Sequence, residues 1–337
     1  MNRTCFALLS IILTIMLSTR VVKAQVDPHF SQYYIYPHFM NPATAGVMNG
    51  TFRVSGIYRN QWSNVTNPYS TGAMSIDAVT EKNINIGGSI LNQSAGDAGY
   101  KYTTGYLSLA YTGVKLGADQ NHQITVGLQG GFINRRFDPS KFRADDQWIP
   151  GIGFNPGLPS TDIFPVKTQT VLDLGAGIFY HNGNTESKAS FYGGAAVFHL
   201  NKPKDPFVSA NDLPFIPLRL TVHGGVIVWL SDYASVVPNF LYLKQGTATE
   251  KMAGTYLKLF VNETTDFMIG GNYRFGDSFS GFAGVTFNQF TVGASYDVTT
   301  SQLARFSRGA NSFELSFSYL IKKERTNRVI YFDCPRF

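Results

Sequence analysis

The decapeptide NSFELSFSYL, at residues 311–320, alternates apolar and polar side chains without a break. Its apolar positions are Phe313, Leu315, Phe317 and Tyr319, and a serine or a glutamate stands at each position between them. Side chains of a β-strand point alternately to opposite faces, so a period of two predicts a strand with one apolar and one polar face.

Fourteen segments of the chain show this alternation. They lie near residues 51–59, 71–80, 84–92, 101–112, 122–134, 168–181, 187–200, 217–230, 233–244, 251–261, 266–275, 277–287, 289–298 and 311–321. Nine charged residues in these segments share the parity of the polar face: Arg53, Arg59, Asp77, Asp173, Arg219, Lys258, Arg274, Asp297 and Glu314. A lipid membrane enforces this pattern, because Arg or Lys on the lipid face near the midplane costs about 2–4 kcal/mol.

The composition agrees with a barrel in a membrane. Only 15% of the residues are charged, 14% are aromatic and 33 are glycine. Beyond residue 24 no apolar run approaches the roughly 20 residues that a membrane-spanning helix needs. Apolar residues that are abundant but finely divided are typical of lipid-facing strands. We therefore predict an all-β fold, a 14-stranded antiparallel transmembrane β-barrel of the outer membrane, over residues 51–321.

Residues 1–24 have the features of a secretory signal peptide, with Arg3 before the apolar run FALLSIILTIML. Removing them lowers the net charge from +6 to +3 and leaves Cys334 as the only cysteine. A disulfide-stapled exported domain is therefore excluded. The weak positive charge, without a basic and aromatic motif, also argues against nucleic-acid binding.

The connections between the predicted strands alternate in length. Short turns are expected at 81–83, 231–232 and 288–289, and longer loops at 60–70, 135–167, 201–216 and 299–310. Outer-membrane barrels have short periplasmic turns and longer external loops. An even number of strands then places both the N- and the C-terminus of the mature chain in the periplasm, with residues 322–337 as a short periplasmic tail.

Residues 25–50 precede the first predicted strand and are rich in aromatic side chains, without a strand-like period. A barrel of about 8 strands fills its own interior and one of 16–18 strands leaves a channel, so 14 strands should leave space to be occupied. We predict that this segment plugs the lumen. The candidate plug residues are Asp27, Pro28, Phe30, Gln32, Tyr33, Asn41 and Pro42.

Two further patterns bear on the barrel wall. Glycines are paired at 87–88, 130–131, 193–194, 224–225 and 270–271, which indicates either tight curvature or close approach of the plug; curvature is the favoured interpretation. Pro238 lies within a predicted strand and lacks a backbone donor, so we expect a bulge in that strand.

The tail has a pattern of its own. Its stretch VIYF, at 329–332, is apolar and β-prone, a type of segment that adds to the edge of a partner's sheet. The unpaired Cys334 permits an intermolecular disulfide or stays a free thiol. The candidate partner-binding residues are Tyr331, Phe332, Cys334, Pro335 and Phe337.

The polar face also carries groups that enzymes use, namely His199, His223, Asp173 and Asp297. His199 is predicted at the external end of its strand and His223 about half a strand deep, so the two are poorly placed to share a site. No Gly-x-Ser-x-Gly or His-Glu-x-x-His motif occurs in the sequence. We therefore expect no catalytic activity, no cofactor and no metal site.

After the predicted signal peptide the chain reads QVDPHFSQYYIYPHFMNPATAGV, at 25–47. This stretch includes Asp27, Pro28, Phe30, Ser31, Gln32, Tyr33, Asn41, Pro42, Ala43 and Gly46. It resembles the opening of the PorP/SprF family of type IX secretion system outer-membrane proteins, which begins with Asp-Pro-x-Phe-Ser-Gln-Tyr followed by Asn-Pro-Ala and a glycine. The resemblance continues through YRNQW at 58–62, GAGIFY at 175–180, GGAAVFHLNKP at 193–203, PNFLYLKQG at 238–246, YRFGD at 273–277 and SYDVTTSQL at 295–303.

This resemblance implies a role in type IX secretion and, in gliding bacteria, in the export or display of large surface adhesins. It implies three kinds of partner: a secreted adhesin with a type IX C-terminal domain, the periplasmic and outer-membrane subunits of the secretion machine, and outer-membrane lipid. Two other functions stay open. Asn-Pro-Ala near the start also resembles the hatch of fatty-acid channels, which favours transport of small hydrophobic molecules, and a general porin is the weakest alternative.

Overall fold

The computed structural model describes residues 27–62, 68–80, 82–96, 99–117, 120–138, 141, 143–155, 157–158, 160, 167–184, 187–204, 215–301 and 311–321. The strands are β1 (Phe52–Gln61), β2 (Tyr69–Ala78), β3 (Ile84–Ala95), β4 (Tyr100–Leu116), β5 (His122–Arg136), β6 (Trp148–Ile149), β7 (Gly153–Phe154), β8 (Thr168–Asn182), β9 (Ala189–Phe198), β10 (Arg219–Ser231), β11 (Ala234–Gln245), β12 (Ala248–Asn262), β13 (Thr265–Arg274), β14 (Ser278–Phe287), β15 (Phe290–Thr299) and β16 (Ser312–Ile321). The helical turns are Tyr33–Ile35, Pro37–Met40, Pro42–Thr44 and Asp145–Gln147.

Fourteen of these strands form one closed antiparallel barrel. Each barrel strand pairs with the next one along the chain, β5 pairs with β8, and β1 pairs with β16 to close the ring. At this seam Phe52 lies opposite Ile321, and Gln61 lies opposite Ser312. The strands β6 and β7, of two residues each, form a separate hairpin in the longest connection. The predicted fold is confirmed.

The alternation in β16 separates an outer from an inner face. Its apolar side chains Phe313, Leu315 and Phe317 are 38–54% exposed, while Glu314 is fully buried and Ser316 is 6% exposed. The nine charged residues assigned to the polar face by parity are all buried, at 7% exposure or less. The apolar face therefore surrounds the barrel, and the charged face points into the lumen. Within the described residues, no helix has both the length and the apolar character to cross a membrane.

The two ends of the barrel differ in their connections. One end, called here the turn end, holds the connections 79–83, 117–121, 183–188, 232–233, 263–264 and 288–289. The first residue of β1 and the last residue of β16 also lie there. The opposite end, called here the loop end, holds the connections 62–68, 96–99, 137–167, 199–218, 246–247, 275–277 and 300–311. The longest connections are thus all at the loop end, which agrees with the alternation expected from the sequence.

Residues 27–50, called here the lumenal segment, lie inside the barrel and run along its length. Asp27 bonds to Tyr102 near the loop-end start of β4 and to Arg219 at the loop-end start of β10. At the other extreme, Thr51 donates its backbone N–H to Ile321 at the turn end. The two ends of the described chain therefore lie at opposite ends of the barrel. This separation arises because the chain crosses the lumen before β1 begins. The expectation that both termini of the mature chain lie in the periplasm concerns residues outside the description and stays a prediction.

Pro238 is accommodated without the expected bulge. It pairs with Thr255 of β12 in an unbroken register. Towards β10 the register is the same on both sides of Pro238, and only the pairs opposite Pro238 and Val237 are missing. The irregularity lies instead between Trp229 and Ser231 of β10. Interruption of the ladder at two positions is enough to accommodate the missing donor.

Candidate functional site

The lumenal segment begins in a charged cluster near the loop end, called here the Asp27 cluster. Arg219 Nη1 donates to the Asp27 carboxylate at 2.9 Å, and Tyr102 donates its hydroxyl at 3.2 Å. The imidazole of His199, the residue directly after β9, lies between two carboxylates: Nε2 is 3.0 Å from Asp27 and Nδ1 is 2.9 Å from Asp173. Asp27 thus joins the lumenal segment to three parts of the wall.

The charge states in this cluster follow from its geometry. Burial alone would lower the pKa of His199, but the carboxylates of Asp27 and Asp173 outweigh it and raise the pKa to about 8. Burial would raise the pKa of Asp27, yet His199 and Arg219 hold it well below its usual range. The pair is therefore a buried imidazolium and carboxylate at neutral pH.

Arg219 also carries aromatic contacts. Its guanidinium lies 4.1 Å from the ring centroid of Phe39, on the lumenal segment, and 4.1 Å from that of Phe198, at the end of β9. Its Nη2 donates to the backbone carbonyl of Phe39 at 3.0 Å. A guanidinium in contact with two aromatic rings retains favourable contacts when it is desolvated. One wall residue therefore contacts two separate parts of the lumenal segment, Asp27 and Phe39.

The second cluster, called here the Ser31 cluster, uses every polar atom of one serine. The Ser31 backbone N–H donates to Glu314 at 2.7 Å, and its carbonyl accepts from Asn272 at 3.0 Å. Its hydroxyl donates to Asp297 at 2.6 Å and accepts from Arg274 at 2.8 Å and Arg59 at 3.0 Å. Arg59 also pairs with Asp297 and with Glu314. Buried charges persist when they are paired and hydrogen-bonded, and Ser31 completes this arrangement.

Gln32 extends the Ser31 cluster. Its backbone N–H donates to the second oxygen of Glu314 at 2.8 Å, so the Glu314 carboxylate receives two consecutive backbone donors. Its side-chain oxygen accepts from Ser316 at 2.8 Å, and its amide donates to Ser295 at 3.2 Å. The Ser-Gln pair therefore matches the polar faces of β15 and β16.

Aromatic side chains of the lumenal segment pack in the lumen next to these two clusters. The ring of Phe30 meets those of Tyr36 and Phe39 edge-on, with centroids 6.0 and 6.4 Å apart. The hydroxyl of Tyr33 donates to Asn239 at 2.8 Å, and the ring of Tyr33 lies 5.4 Å from that of Tyr34. Rings at these separations and edge-on angles are favourable contacts beyond their buried area.

The Asn-Pro-Ala element contacts the wall nearer to the turn end than the two clusters do. Asn41 is completely buried; its amide donates to the Ile178 carbonyl at 2.9 Å, and its oxygen accepts from the Ala43 N–H at 2.9 Å. Asn41 thereby caps the turn Pro42–Thr44. A Cβ at Gly127 would collide with the backbone of Ala43. Asn-Pro-Ala therefore approaches the wall closely, where a wall side chain would interfere.

Other wall glycines are also explained by the lumenal segment. A Cβ at Gly177 or at Gly194 would collide with Asn41, and one at Gly87 would collide with His38. Close approach thus accounts for one glycine in each of the pairs 87–88 and 193–194. The pairs 224–225 and 270–271 meet neighbouring strands and their side chains instead. Close approach of the lumenal segment therefore explains Gly87 and Gly194, whereas the atoms nearest an added Cβ in the other pairs belong to the wall.

The structure places all seven candidate plug residues within the lumen, where each is buried. Whether they close it to solutes stays a prediction. The five tail candidates, Tyr331, Phe332, Cys334, Pro335 and Phe337, lie outside the described residues, as do the predicted signal peptide and the rest of 322–337.

Sequence reasoning missed the wall partners of the segment. Ser31 was part of the family motif without being a candidate, and His38, which lies 3.7 Å from Asp77, was not considered. The nine charged residues predicted on the inner face did indicate that buried partners must exist. Their pattern does not show which residues those partners are.

The four polar residues considered for catalysis lie in three separate places, and at each place the wall contacts the lumenal segment. His199 and Asp173 belong to the Asp27 cluster, Asp297 belongs to the Ser31 cluster, and His223 lies 3.3 Å from the Asn41 amide. His199 and His223 do not share a site. Among the described residues, no group of three or more His, Cys, Asp and Glu side chains is arranged to hold a metal ion.

The family model described as "Type IX secretion system membrane protein PorP/SprF" matches residues 22–319. No curated protein matches the chain. The solved structure of the Ralstonia pickettii toluene transporter TbuX is similar, with 11% identity, a TM-score of 0.50, and coverage of 85% of this chain and 94% of that one. The CymD monoaromatic hydrocarbon channel has 12% identity, a TM-score of 0.49 and coverage of 89% and 96%. At 11% identity the likeness to TbuX shows the fold alone.

The closed strand ladder, the lipid-facing apolar belt and the charged lumen define an outer-membrane β-barrel. The family match covers most of the chain. The chain belongs to the PorP/SprF family, and it is a membrane component of type IX secretion.

Proposed function

We propose that this barrel supports the secretion or surface display of a cognate large adhesin by docking the adhesin's C-terminal domain. The observation that carries the proposal is the family match over residues 22–319. On this proposal the partners are the secreted adhesin and the periplasmic and outer-membrane subunits of the type IX machine. Display of such adhesins would serve gliding motility.

The occupied lumen supports docking rather than conduction. The lumenal segment contacts strands around the whole circumference, including β2, β4, β8, β10, β11, β15 and β16. Opening a wide path would break both the Asp27 cluster and the Ser31 cluster, and each unpaired buried charge is expensive. A barrel that keeps its lumen occupied would act through its rims.

The proposed rim for the machine is the turn end. We place it in the periplasm because outer-membrane barrels have their short turns there. The chain leaves β16 at Ile321 on this side, and the tail residues Tyr331, Phe332, Pro335 and Phe337 are the proposed contacts. Cys334 is an optional one.

Truncation after Glu324 tests the proposal. The truncated barrel should insert and keep the heat-modifiable gel migration of a folded barrel, while adhesin secretion and co-purification with machine subunits are lost. The matched control is Cys334→Ser in the full chain, which should secrete normally if the thiol is optional. Normal secretion by the truncated barrel would contradict the docking role of the tail.

The alternative, a channel for small hydrophobic molecules, has less support. The apolar cavity beside Tyr33, Tyr34, Phe179 and Tyr256 measures about 50 Å³. Such a volume holds a few water-sized groups rather than an aromatic hydrocarbon. We also propose that the chain is not an enzyme. In support, both ring nitrogens of His199 already contact carboxylates, so neither is available as a base.

A further inference from the structure

A second cavity lies at the loop end, between the start of the lumenal segment and the ends of the wall strands. It measures about 210 Å³ and is called here the loop-end pocket. Its charged lining residues are Asp27, Glu250, Asp277 and Arg274, and its lining also includes His29, Trp62, Gln245 and Phe275. This volume is below that of pockets for drug-sized ligands, and it suits one side chain or a fragment of similar size.

The pocket presents buried polar atoms without partners. Nε2 of His29 and Nε2 of Gln245 have no hydrogen-bond partner within the described part of the chain, and the two residues are 8% and 4% exposed. Glu250 Oε1 lies 3.3 Å from Arg274 Nε but makes no hydrogen bond. Buried polar atoms are normally paired, so His29 Nε2, on a residue that lines the cavity, is an acceptor left free for a donor from a ligand.

The charge around the pocket determines the sign of that ligand. The connected ion pairs join four carboxylates and two guanidiniums: Glu250, Asp277, Asp297 and Glu314 with Arg59 and Arg274. Among the described residues, this network holds two more negative than positive charges. Burial, then the nearby Arg274 and Arg59, keep the pKa of His29 well below its ordinary value. His29 is therefore neutral and can offer Nε2 as an acceptor.

The apolar part of the lining completes the match. Trp62 and Phe275 border the pocket at the ends of β1 and β13, and Asp277, with 39% of its side chain exposed, lies at its rim. A cation on a short apolar stem would place the stem against these rings and its donors on Glu250 and His29. Lysine and arginine side chains have this chemistry.

We propose that the loop-end pocket binds a lysine or arginine side chain of the protein that docks on this barrel. The inference rests on the proposed function, because an adhesin displayed outside the cell would reach the loop end, which that proposal places on the external side. The other source of the same chemistry is a free small amine. The pocket would thus supply a charge-selective contact at the end of the barrel opposite the tail.

Binding can be measured on the purified full-length barrel in detergent. The chain has three tryptophans, so fluorotryptophan labelling gives few ¹⁹F resonances, and Trp62→Phe assigns the one from the pocket. Nα-acetyl-lysine amide should shift the Trp62 resonance saturably. Nα-acetyl-norleucine amide, which has the same stem without the ammonium, should not.

Two variants test the assigned partners. Glu250→Gln and His29→Leu should each weaken the binding of acetyl-lysine amide by about tenfold or more, because a charge-assisted bond is lost. The control Glu263→Gln changes an exposed acid at the turn end and should bind normally. His29→Leu leaves the Glu250–Arg274 pair intact, so it also tests the pocket if Glu250→Gln disturbs folding.

Three results would overturn the proposal: no saturable shift, an equal shift with acetyl-norleucine amide, or binding of n-butylammonium without binding of acetyl-lysine amide. A secretion assay distinguishes the proposed role of the loop-end pocket from the proposed docking function. If truncation after Glu324 abolishes secretion while Glu250→Gln secretes normally, the docking function stands and the role of the pocket in it fails. A loss of secretion in Glu250→Gln but not in Glu263→Gln supports the pocket.

Discussion

His199 makes the contact between the lumenal segment and the wall sensitive to pH. Its pKa is raised from 6.5 to about 8 by carboxylates that it meets only in the folded barrel. A raised pKa means that the folded state holds the proton more tightly than the unfolded state. The stabilisation is therefore complete below pH 6.5 and is lost as the pH rises through 8. The shift corresponds to about 2 kcal/mol.

We predict that the barrel unfolds in detergent at a lower temperature at pH 9 than at pH 6. His199→Gln supplies the control, because glutamine can bond to both carboxylates but does not titrate. In this variant the difference between pH 6 and pH 9 should largely disappear. An equal drop in the wild type and in His199→Gln would assign the pH dependence to other groups.

Gly127 marks a place where the wall and the lumenal segment meet backbone to backbone. A Cβ there would collide with Ala43, and a backbone cannot move aside as a flexible side chain can. We predict that Gly127→Ala destabilises the barrel by about 1–3 kcal/mol, as overpacking typically does. Gly72→Ala is the matched control in a strand, since its Cβ would have nothing within 4 Å. Equal unfolding temperatures for the two variants would show that the segment is not held at Gly127.

At the scale of elements, the strands were predictable because their signal is local. Alternation within ten residues defined β16, and the observed strands start and end within a few residues of the predicted ones. The path of the lumenal segment was not predictable, because its contacts join distant positions. Ser31 and Glu314, for example, are 283 residues apart in the chain. The bulge predicted in the strand of Pro238 is absent for another reason, because the ladder omits pairs there without shifting its register.

The lumenal segment itself is open to a direct test of closure. We predict that deleting residues 25–50 raises the single-channel conductance in planar bilayers, because the deletion removes the Phe30, Tyr36 and Phe39 packing from the lumen. Heat-modifiable migration should first show that the deleted barrel is folded. The full-length Gly72→Ala barrel serves as the control. Unchanged conductance after deletion would mean that the segment does not restrict the lumen.

The orientation of the whole molecule can be tested with two neighbouring turns. Asp232 lies in the β10–β11 turn at the turn end, Thr247 lies in the β11–β12 turn at the loop end, and both are exposed. In a Cys334→Ser background, a membrane-impermeant maleimide should label Thr247→Cys on intact cells and should not label Asp232→Cys until the cells are lysed. The opposite pattern would place the turn end, and the tail with it, outside the cell.

The lumenal segment continues directly into the barrel wall at the turn end, and this connection sets the order in which a force applied there would break its contacts. Its last residues continue into β1 at the turn end, while Asp27 lies near the loop end. A pull from the turn-end side loads the tethered end first, so the contacts of Asn41 would rupture before those of Ser31, and those of Asp27 last. The work would be spread over successive small steps, as in peeling. A pull from the opposite side would have to break the ion pairs of Asp27 at once. The lumenal segment therefore resists forces from the two sides of the barrel unequally.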